Sequence, residues 1–513
     1  MSILALPVMV ALPLGFAFLI PIVARRAKAV ADSLANIATL GLVAFAVLLL
    51  PVRGVYVIGG WKPPIGISWV LDGYGNLMLL VVAVVSFAST LYSVRYMERY
   101  TASHRYYSLF LLMVTGMNGV IITGDLFNLF VFLEIASISS YALVAFGCEQ
   151  DELEASFKYL VLGSIGSTLV LLGIAFVYGA TGYLNMASIS QGLASAPRSP
   201  LLILAFVFFI VGFGIKAALV PFHPWLPDAH PSAPAPISAM LSGVLIKALG
   251  VYALTRVLFN VIGVSESLAI VLIAVGVLSM TVGVFLAVGQ WDFKRLLAYH
   301  SISQMGYVIL GIGMGGYILA VGGRVEVAAL AVLGGIFHLA NHAVFKSLLF
   351  LCSGSIEMAT GTRQLKEMGG LGERMPVTRA TCTIASLSIA GVPPFNGFWS
   401  KLIIIVAAFQ ASVDHPWFIA LAAITILVSF VTLISFLKVL RYAFLGGLSQ
   451  ALQQVKESPA LMCAALVILA VFCVGMGLLL VPPVREMVLE PAVRALMGGL
   501  GYAGAVNAAV AGL

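Results

Sequence analysis

Long apolar runs recur along the whole of the 513-residue chain. A run of about 18 apolar residues can cross the bilayer core of about 30 Å as a helix. Only 9% of the residues are charged, against roughly 25% in soluble domains. The runs are continuous and do not alternate with polar residues, which excludes a membrane β-barrel. The sequence therefore predicts an all-α polytopic membrane protein.

About fourteen segments are apolar enough to be transmembrane helices. We predict these spans near residues 3–24, 29–50, 74–93, 108–124, 126–147, 158–179, 201–220, 237–259, 267–289, 296–320, 327–353, 378–410, 416–445 and 460–482. Residues 54–73, rich in β-branched and aromatic side chains, predict an extracytoplasmic hairpin. We interpret the acidic segment 148–158 as a cytoplasmic loop, and we expect the interrupted tail after residue 482 to lie on the surface.

Two spans, the seventh and the twelfth, are broken by proline and glycine. The sequence FGIKAALVPFHPWLPDAHPSAPAP (213–236) breaks the seventh at Pro221 and Pro224. The sequence SIAGVPPFNGFWSKL (388–402) breaks the twelfth at Gly391, Pro393 and Pro394. Broken backbone at membrane depth is tolerated only where it lines a polar cavity or is buried in protein. Paired broken helices in a transporter point to its conducting site.

The broken spans are five spans apart, which indicates two five-helix repeats, spans 4–8 and spans 9–13. A repeat with an odd number of helices must insert its copy with inverted topology. We therefore divide the chain into 1–107 (helices 1–3 and the hairpin), 108–260 (first repeat), 261–446 (second repeat) and 447–513 (helix 14 and the tail).

The chain has 27 Lys and Arg residues against 20 Asp and Glu residues. The loop cations concentrate in the odd-numbered loops, which predicts that these loops are cytoplasmic and that both termini face outward. This topological role explains the basic excess without a nucleic-acid partner. The apolar start has no basic region before it and is expected to be a first span, not a cleaved signal.

The sequence predicts no catalytic residues, metal site or cofactor in this chain. Its five cysteines are scattered without a CxxC pair, which argues against an iron–sulfur cluster or a zinc site. It has no GxxxxGK[ST] loop, so we do not expect it to hydrolyse ATP.

Ionisable residues within the spans are few, and each costs about 2.5–3.5 kcal/mol at the bilayer centre, so they usually face the protein interior and act there. Glu134 is the only acid deep within a span, and Lys216 precedes the first break. A lysine in a low-dielectric site gains proton affinity when a carboxylate is near. We infer a Glu134–Lys216 pair that tunes the lysine. The alternative for Glu134 is a structural contact that locks two helices.

Two further lysines are predicted to carry protons. Lys247 lies about ten residues into its span, where snorkelling to the membrane interface is difficult. Lys401 follows the second break and would be the terminal titratable group. The alternative role for Lys401 is that of an anchor at the cytoplasmic end of the span.

The segment GGIFHLANHAVFKSLLFL places His338, His342 and Lys346 at positions i, i+4 and i+8. This spacing aligns three titratable groups along one helical face. Histidine titrates nearest neutral pH, which favours a proton relay. Zinc is disfavoured, because HLANH lacks the glutamate of an HExxH site.

Four more residues are candidates for a proton entrance or for structural support. His223 and His230 lie in the broken seventh span, and Asp228 between them is expected to cap a helix or to pair with one of them. His300 lies just inside the tenth span beside Lys294, which favours a position at a cytoplasmic entrance.

These motifs resemble the antiporter-like, proton-conducting subunits shared by respiratory complex I, Mrp-type Na⁺/H⁺ antiporters and membrane-bound group 4 hydrogenases. The resemblance rests on FLEIASISSYALVA, GFGIKAALVPFHPWLPDAHPSAPAPISAMLSGVLIK, KRLLAYHSISQMGYVILGIG, HLANHAVFKSLLFL and GVPPFNGFWSK. Lysine at 401 looks closer to the Mrp and hydrogenase members than to the complex I member that ends in glutamate. The resemblance implies fourteen helices, the inverted repeats and a hydrophilic axis along the membrane plane.

The resemblance also implies a proton-translocating subunit of a redox-driven complex in the cytoplasmic membrane of a prokaryote. Its partners would be other membrane subunits, including further antiporter-like ones, with the iron–sulfur or nickel–iron centres held by partner subunits. The transported ion would be H⁺, and transport of Na⁺ stays open. The alternatives are a subunit of an Mrp-type Na⁺/H⁺ antiporter and a non-transporting scaffold or quinone-site subunit.

Overall fold

The computed structural model of the protein describes residues 2–25, 27–195, 199–448 and 452–512. The first nine α-helices are α1 (Val8–Val23), α2 (Lys28–Leu49), α3 (Gly73–Tyr96), α4 (Ser103–Ile122), α5 (Leu126–Val144), α6 (Gln150–Thr181), α7 (Met186–Ser195), α8 (Pro200–Lys216) and α9 (Leu226–Ser232). The others are α10 (Ala235–Met240), α11 (Ala253–Arg256), α12 (Glu266–Val288), α13 (Phe293–Ala320), α14 (Val325–Thr360), α15 (Pro376–Ala390), α16 (Asn396–Ala411), α17 (Phe418–Phe444), α18 (Ala460–Gly475), α19 (Pro482–Met497) and α20 (Gly501–Ala511).

Helices α10 and α11 belong to one continuous helix, Ala235–Ile262, which we call the central helix. Two of its segments, Leu241–Tyr252 and Val257–Ile262, have π-helical hydrogen bonding. Such wider turns are rare and occur frequently at functional sites. The first of them contains Lys247.

Twelve helices in the described part of the chain are long and apolar enough to cross a membrane. This confirms the predicted fold class. Helices α8 and α16 are apolar but shorter, because each belongs to a broken span: α8 continues into α9 after a turn, and α15 into α16. The predicted count of fourteen spans and the inverted repeats stay predictions.

The helices differ sharply in how far their neighbours cover them. In the most apolar stretch of the central helix every residue is buried, and in α13 and α14 the buried share of residues is 94% and 89%. In the corresponding stretches of α12 and α17 only 44% and 39% of the residues are buried. Lipid-facing helices keep apolar side chains on the outside, whereas polar side chains in the membrane face the protein interior. The central helix, α13 and α14 therefore form the interior in which titratable residues are sheltered.

The predicted hairpin is present. Strand β1 (Gly54–Val57) pairs antiparallel with β2 (Ser68–Leu71), in the register Gly54 opposite Leu71. Asp72 follows β2 at once and caps α3 by accepting a hydrogen bond from the Gly75 N–H at 2.9 Å. The hairpin therefore leads directly into the third span.

The interpretation of residues 148–158 as a loop is wrong. Helix α6 begins at Gln150, and Glu149 and Glu152 form a capping box at its start. Such a box satisfies two N–H groups that a helix start leaves free, and acidic residues favour that end of the helix dipole. Lys158 pairs with Glu154 one turn earlier at 2.8 Å. The acidic run is therefore the first turns of the sixth span.

The tail forms two helices that lie at the surface of the bundle with one face covered. Helix α19 buries Val488, Leu489 and Leu496, and it packs against α3. Helix α20 packs against β1 and α7. Other apolar side chains of the tail, such as Met487 and Leu500, are exposed. The tail has no segment among the twelve candidate spans, in agreement with the sequence.

Two predicted boundaries of the chain fall inside helices. The boundary after residue 107 lies within α4, which begins at Ser103, and the boundary after residue 260 lies within the central helix, which ends at Ile262. Domain boundaries fall in exposed linkers that few contacts cross, not within a hydrogen-bonded helix. The nearest turns are those before Ser103 and after Ile262, and the division into repeats stays a prediction.

Candidate functional site

The first break lies directly after Lys216, the last residue of α8. Pro221 and Pro224 lie in the turn before α9, where proline removes backbone donors. Two of the polar backbone groups at this break bond to side chains. The Val220 N–H donates to Ser279 Oγ at 3.0 Å, and Trp225 Nε1 donates to the Ile215 carbonyl at 2.9 Å. Protein partners thus stabilise the broken backbone.

Glu134 and Lys216 are brought together as expected. Lys216 Nζ lies 4.0 Å from Glu134 Oε1, at the outer limit of an ion pair. Lys216 also donates to Ser137 Oγ at 2.9 Å and to Tyr141 Oη at 3.2 Å. Ser167 Oγ donates to the same Glu134 oxygen. The lysine side chain is almost completely buried, whereas the glutamate side chain is 28% exposed.

Lys247 is completely buried within the π-helical part of the central helix. Its ammonium donates to the Ser242 carbonyl at 2.5 Å. One turn further on, a Cβ on Gly250 would meet Ala217 Cα at 2.5 Å. Only glycine fits so close an approach. The end of α8 next to Lys216 is thereby packed onto the helix that contains Lys247.

The three predicted titratable residues of α14 are all completely buried. His338 is held on both sides, with Nδ1 2.9 Å from Ser400 Oγ and Nε2 3.1 Å from Gln304 Oε1. Among the described residues, neither ring nitrogen of His342 and no hydrogen of Lys346 Nζ has a hydrogen-bond partner. Buried polar groups normally pair with protein or with ordered water.

The second break places Lys401 against the end of α15. Gly391 ends α15 in the left-handed conformation, with φ at 83°, and Pro393 and Pro394 follow it. Lys401 Nζ donates to the Ile389 carbonyl at 2.8 Å and lies 4.6 Å from the centre of the Tyr307 ring. The break therefore presents a backbone carbonyl to the lysine. Lys401 is 3% exposed, so it is not an anchor at the membrane surface.

The buried cations and histidines lie on elements that pack directly against one another. The ring of His230 in α9 packs against α14. Ser347 Oγ of α14 donates to the Ala239 carbonyl of the central helix at 3.1 Å. Helix α14 also packs against α16, which contains Lys401. The buried groups thus extend from the α9 end of the first break, through the central helix and α14, to the second break.

The four supporting candidates have different environments. His223 is half-buried in the turn between α8 and α9, and its Nδ1 has no partner among the described residues. His230 is completely buried with its ring 4.8 Å from that of Phe350. Asp228 pairs with Lys158 at 3.1 Å and with Arg295 at 3.6 Å. The expected pairing of Asp228 with a histidine is therefore wrong, because two nearby cations compete for its carboxylate.

His300 is not at an exposed mouth. The residue is completely buried, and its Nε2 lies 2.8 Å from Ser435 Oγ on α17. Its ring packs 4.8 Å from the ring of Phe436. Sequence placed it near a helix start, but seven residues of α13 precede it, which carries it about two turns into the bundle.

Sequence reasoning missed two residues that contact the predicted path. Gln304 and Ser400 hold the two sides of His338. Gln304 lies four residues after His300 in the motif AYHSISQMGY, and Ser400 directly precedes Lys401. A buried amide in an apolar span is a detectable signal, because it needs a partner there. In the described part of the chain, no group of three or more His, Cys, Asp or Glu is arranged to hold a metal ion.

The chain matches two known protein families, one of which includes the whole predicted path. The family described as "NADH:quinone oxidoreductase/Mrp antiporter, TM" matches residues 123–429, which include every residue of the predicted path. A second family, described as "NADH-Ubiquinone oxidoreductase (complex I), chain 5 N-terminus", matches residues 62–107. The chain belongs to the NADH:quinone oxidoreductase/Mrp antiporter family.

Members of this family from different complexes resemble the chain about equally. NADH-quinone oxidoreductase subunit N of Desulforudis audaxviator is 35% identical over 93% of this chain and 95% of its own length. A subunit of the Na⁺/H⁺ antiporter of Alkalihalophilus pseudofirmus is 36% identical over 76% of each chain. A chain of the archaeal membrane-bound sulfane sulfur reductase, a respiratory membrane complex, superposes with a TM-score of 0.86. It is 33% identical and covers 98% of this chain and 99% of its own length.

Family membership establishes the class of the protein. It is an antiporter-like subunit of the kind that occurs in complex I, in Mrp antiporters and in related respiratory membrane complexes. Such subunits work within multisubunit membrane complexes, so membrane subunits are the partners of this chain. The identities of 33–36% across these assemblies do not select one of them.

Proposed function

We propose that the chain translocates protons within a multisubunit, redox-driven membrane complex. Protons would pass from Lys216 to Lys247, then through Lys346, His342 and His338 to Lys401, with Glu134 tuning the proton affinity of Lys216. The observation that carries the proposal is the set of buried titratable groups on the packed helices between the two helix breaks. Buried ionisable groups in a membrane interior are costly and are usually functional.

The unpaired polar atoms support the proposal. His342, Lys346 and His230 each have buried nitrogen atoms without a partner among the described residues. Groups of this kind bind water in protein interiors, and water between titratable groups allows a proton to move without movement of a side chain. We therefore expect ordered water between the central helix and α14.

The proposal extends to partners and location. The chain contributes no redox centre of its own in this proposal, so iron–sulfur or nickel–iron centres belong to partner subunits, and their redox energy reaches this chain through protein contacts. Further antiporter-like subunits and lipid would surround it. Its place is the cytoplasmic membrane of a prokaryote, with both termini outward, as the distribution of loop cations favours.

The test is proton pumping by the purified complex in proteoliposomes. We expect Glu134→Gln and Lys216→Met each to lower pumping at least about tenfold, the contribution typical of a positioned proton-transfer group. Glu326→Gln, at an exposed helix start, is the matched control and should pump normally. Normal pumping by assembled complexes with Glu134→Gln and Lys216→Met would overturn the proposal.

A subunit of an Mrp-type Na⁺/H⁺ antiporter is the second candidate, supported by the 36% identity to the antiporter relative from Alkalihalophilus pseudofirmus. Sodium prefers several oxygen ligands, and among the described residues Glu134 is the one carboxylate that pairs with Lys216. Pumping that continues in Na⁺-free buffer would favour the redox-driven complex. A strict requirement for Na⁺ would favour the antiporter.

A scaffold or quinone-site subunit is the third candidate. In that case the buried charges would only hold helices together. Substitutions such as Lys216→Met would then disrupt assembly of the complex before they changed proton transport. Blue-native electrophoresis of the same variants separates the two outcomes.

A further inference from the structure

Two segments outside the predicted proton path meet beside the α9–α10 turn. They are residues 291–295, which include the start of α13, and residues 361–365 after α14. The Phe293 N–H donates to the Arg363 carbonyl at 3.0 Å, and the Leu365 N–H donates to the Trp291 carbonyl at 2.9 Å. We call this pair of segments the clasp. Its backbone hydrogen bonds fix Lys294 and Arg363 side by side.

Both cations donate to carbonyls of the turn that joins α9 to α10. Arg363 Nη1 donates to the Pro231 carbonyl at 2.6 Å, and Lys294 Nζ donates to the Ala233 carbonyl at 3.1 Å. Pro234 lacks an N–H group and cannot continue the hydrogen bonding of α9. Unpaired buried carbonyls cost free energy, so the two side chains replace backbone donors that the turn does not have.

Carboxylates hold the two cations in this position. Glu357, near the end of α14, lies 2.9 Å from Lys294 Nζ and 3.8 Å from Arg363 Nη1. Asp292 pairs with Arg363 Nε at 3.2 Å and also caps α13. Lys294 is 2% exposed and Glu357 is 20% exposed, so the charges are sheltered from water and each depends on its partner.

The clasp links the two halves of the chain. The turn that the clasp contacts belongs to the first broken span and lies next to His230. Glu357, which pairs with the clasp, lies on α14 about three turns beyond Lys346. A polar cavity of about 460 Å³ opens beside the turn and is lined by Ser232 as well as by charged residues.

We propose that Lys294 and Arg363 are positioning residues that fix the α9–α10 turn, and with it the buried His230, against α14, the helix that holds the middle of the proton path. They act through the backbone of the turn and do not themselves carry the transported proton. The consequence for transport rests on the proposed function. The consequence for the position of the turn does not.

The position of the turn is measured by thiol labelling of the purified complex. Ser232→Cys places a half-buried thiol in the turn, and Cys148→Ser removes the exposed native cysteine. In this background, we expect Lys294→Met and Arg363→Met each to raise the rate of labelling by a water-soluble maleimide at least about tenfold, because the turn loses a buried hydrogen bond and opens more often. Lys294→Arg keeps a donor and a charge and should label within about twofold of the parent.

Arg324 supplies a matched control. It also pairs with a carboxylate, Asp414, at 2.9 Å and donates to the Gln410 carbonyl, but it does not contact the clasp. Arg324→Met should leave the labelling of the introduced thiol unchanged. Parent-like labelling in both Lys294→Met and Arg363→Met would overturn the proposal. Arg363 is about a third exposed, so its variant remains informative if Lys294→Met fails to assemble.

Proton pumping by the same variants completes the test. We expect pumping to fall at least about fivefold in Lys294→Met and to recover in Lys294→Arg, since a displaced turn misplaces His230 and the residues of the central helix that follow it. Faster labelling with parent-like pumping would overturn the positioning role. The labelling readout needs no transport, so it keeps its meaning even if Glu134→Gln and Lys216→Met pump normally and the proposed function fails.

Discussion

His338 has a hydrogen-bond partner at each of its two ring nitrogens. Ser400 and Gln304 contact its two ring nitrogens, and its ring lies 5.3 Å from that of Tyr307. By contrast, His342, one turn away, has no hydrogen-bond partner in the described part of the chain. The partner of one imidazole nitrogen decides which nitrogen carries the proton. Gln304 and Ser400 therefore set the tautomer of His338 beside Lys401.

Removing the amide should impair the last transfer of the path. We expect Gln304→Leu to lower proton pumping about three- to tenfold, because His338 Nε2 then loses its buried partner. Gln304→Glu, which retains an acceptor, should keep more activity. Gln290→Leu is the control, since that side chain bonds only to the helix carbonyl of Leu286. Pumping equal to wild type in Gln304→Leu would contradict this role.

At this scale, sequence predicts the titratable residues better than their partners. Glu134, Lys216 and Lys247 are conspicuous because charged side chains are rare in apolar spans. The residues that hold them are ordinary in composition, as Tyr141 and Ser137 illustrate beside Lys216. Contacts between helices far apart in the chain are not encoded in local spacing, so these partners emerge only from the fold.

At the scale of elements, the second break depends on a single glycine. Gly391 has φ at 83°, and a Cβ there would lie 3.0 Å from Lys401 Cδ. The left-handed conformation costs about 1–2 kcal/mol for a residue with a side chain. The same residue therefore ends α15 and leaves room for the lysine that donates to the Ile389 carbonyl.

Gly391→Ala should affect both stability and transport. We expect a loss of about 1–3 kcal/mol in stability, seen as a lower melting temperature of the purified complex, together with reduced pumping. Gly361 is the matched control, because it ends α14 with φ at 73° but has open space around it. Gly361→Ala should lower the melting temperature and pump normally. Equal pumping by both variants would contradict a specific role for Gly391.

Among the elements, the breaks were predictable and one helix start was not. Proline and glycine correctly marked both breaks, because they remove donors or permit φ values that other residues avoid. The start of α6 was missed, although Glu149 and Glu152 have the spacing of a capping box. Acidic residues are common in loops, but they also interact favourably with the start of a helix, so charge alone does not distinguish the two.

At the scale of the whole molecule, a buried cluster joins the hairpin, the central helix and the tail. Arg256 pairs with Asp72 at 2.8 Å and donates to Tyr252 Oη at 3.0 Å. Asn260, one turn on, donates to the carbonyls of Ala495 and Gly499. The sequence alone did not reveal this cluster, because its members are separated by up to several hundred residues. It explains why the tail is packed and not free.

The cluster should make stability depend on pH. Burial alone raises the pKa of the Asp72 carboxyl, but the Arg256 guanidinium more than offsets it, so the pKa lies below its usual range. Such a carboxylate stabilises the fold above its unfolded pKa, near 4, and the contribution is lost as the pH falls through the lower, folded value. We expect Asp72→Asn to lower stability by about 3–5 kcal/mol at pH 7.

Melting curves of wild type and Asp72→Asn across pH test this role. The difference between the two melting temperatures should be present at pH 7 and should shrink below about pH 4. Glu490→Gln is a surface control, since its partners Arg485 and Arg494 are largely exposed and such pairs contribute little. A constant difference between wild type and Asp72→Asn down to acid pH would contradict the role of the ion pair.

The fold class, the hairpin and the family follow from composition and motifs, because apolar length and proline-rich breaks are local properties of the sequence. The assembly that this chain serves does not follow, since its relatives in different complexes are equally similar. The central claim, a proton path through the buried row, concerns residues that both transport candidates share. Lys247 lies between the two halves of that row and has no carboxylate partner among the described ion pairs.

The most direct test is therefore the number of protons pumped per electron pair by the reconstituted complex with Lys247→Met. We predict that pumping falls at least about tenfold, while the complex assembles and its partner subunits still transfer electrons. Lys62→Met, in the exposed hairpin loop, is the control and should pump like wild type. Wild-type proton stoichiometry in an assembled Lys247→Met complex would contradict the proton path.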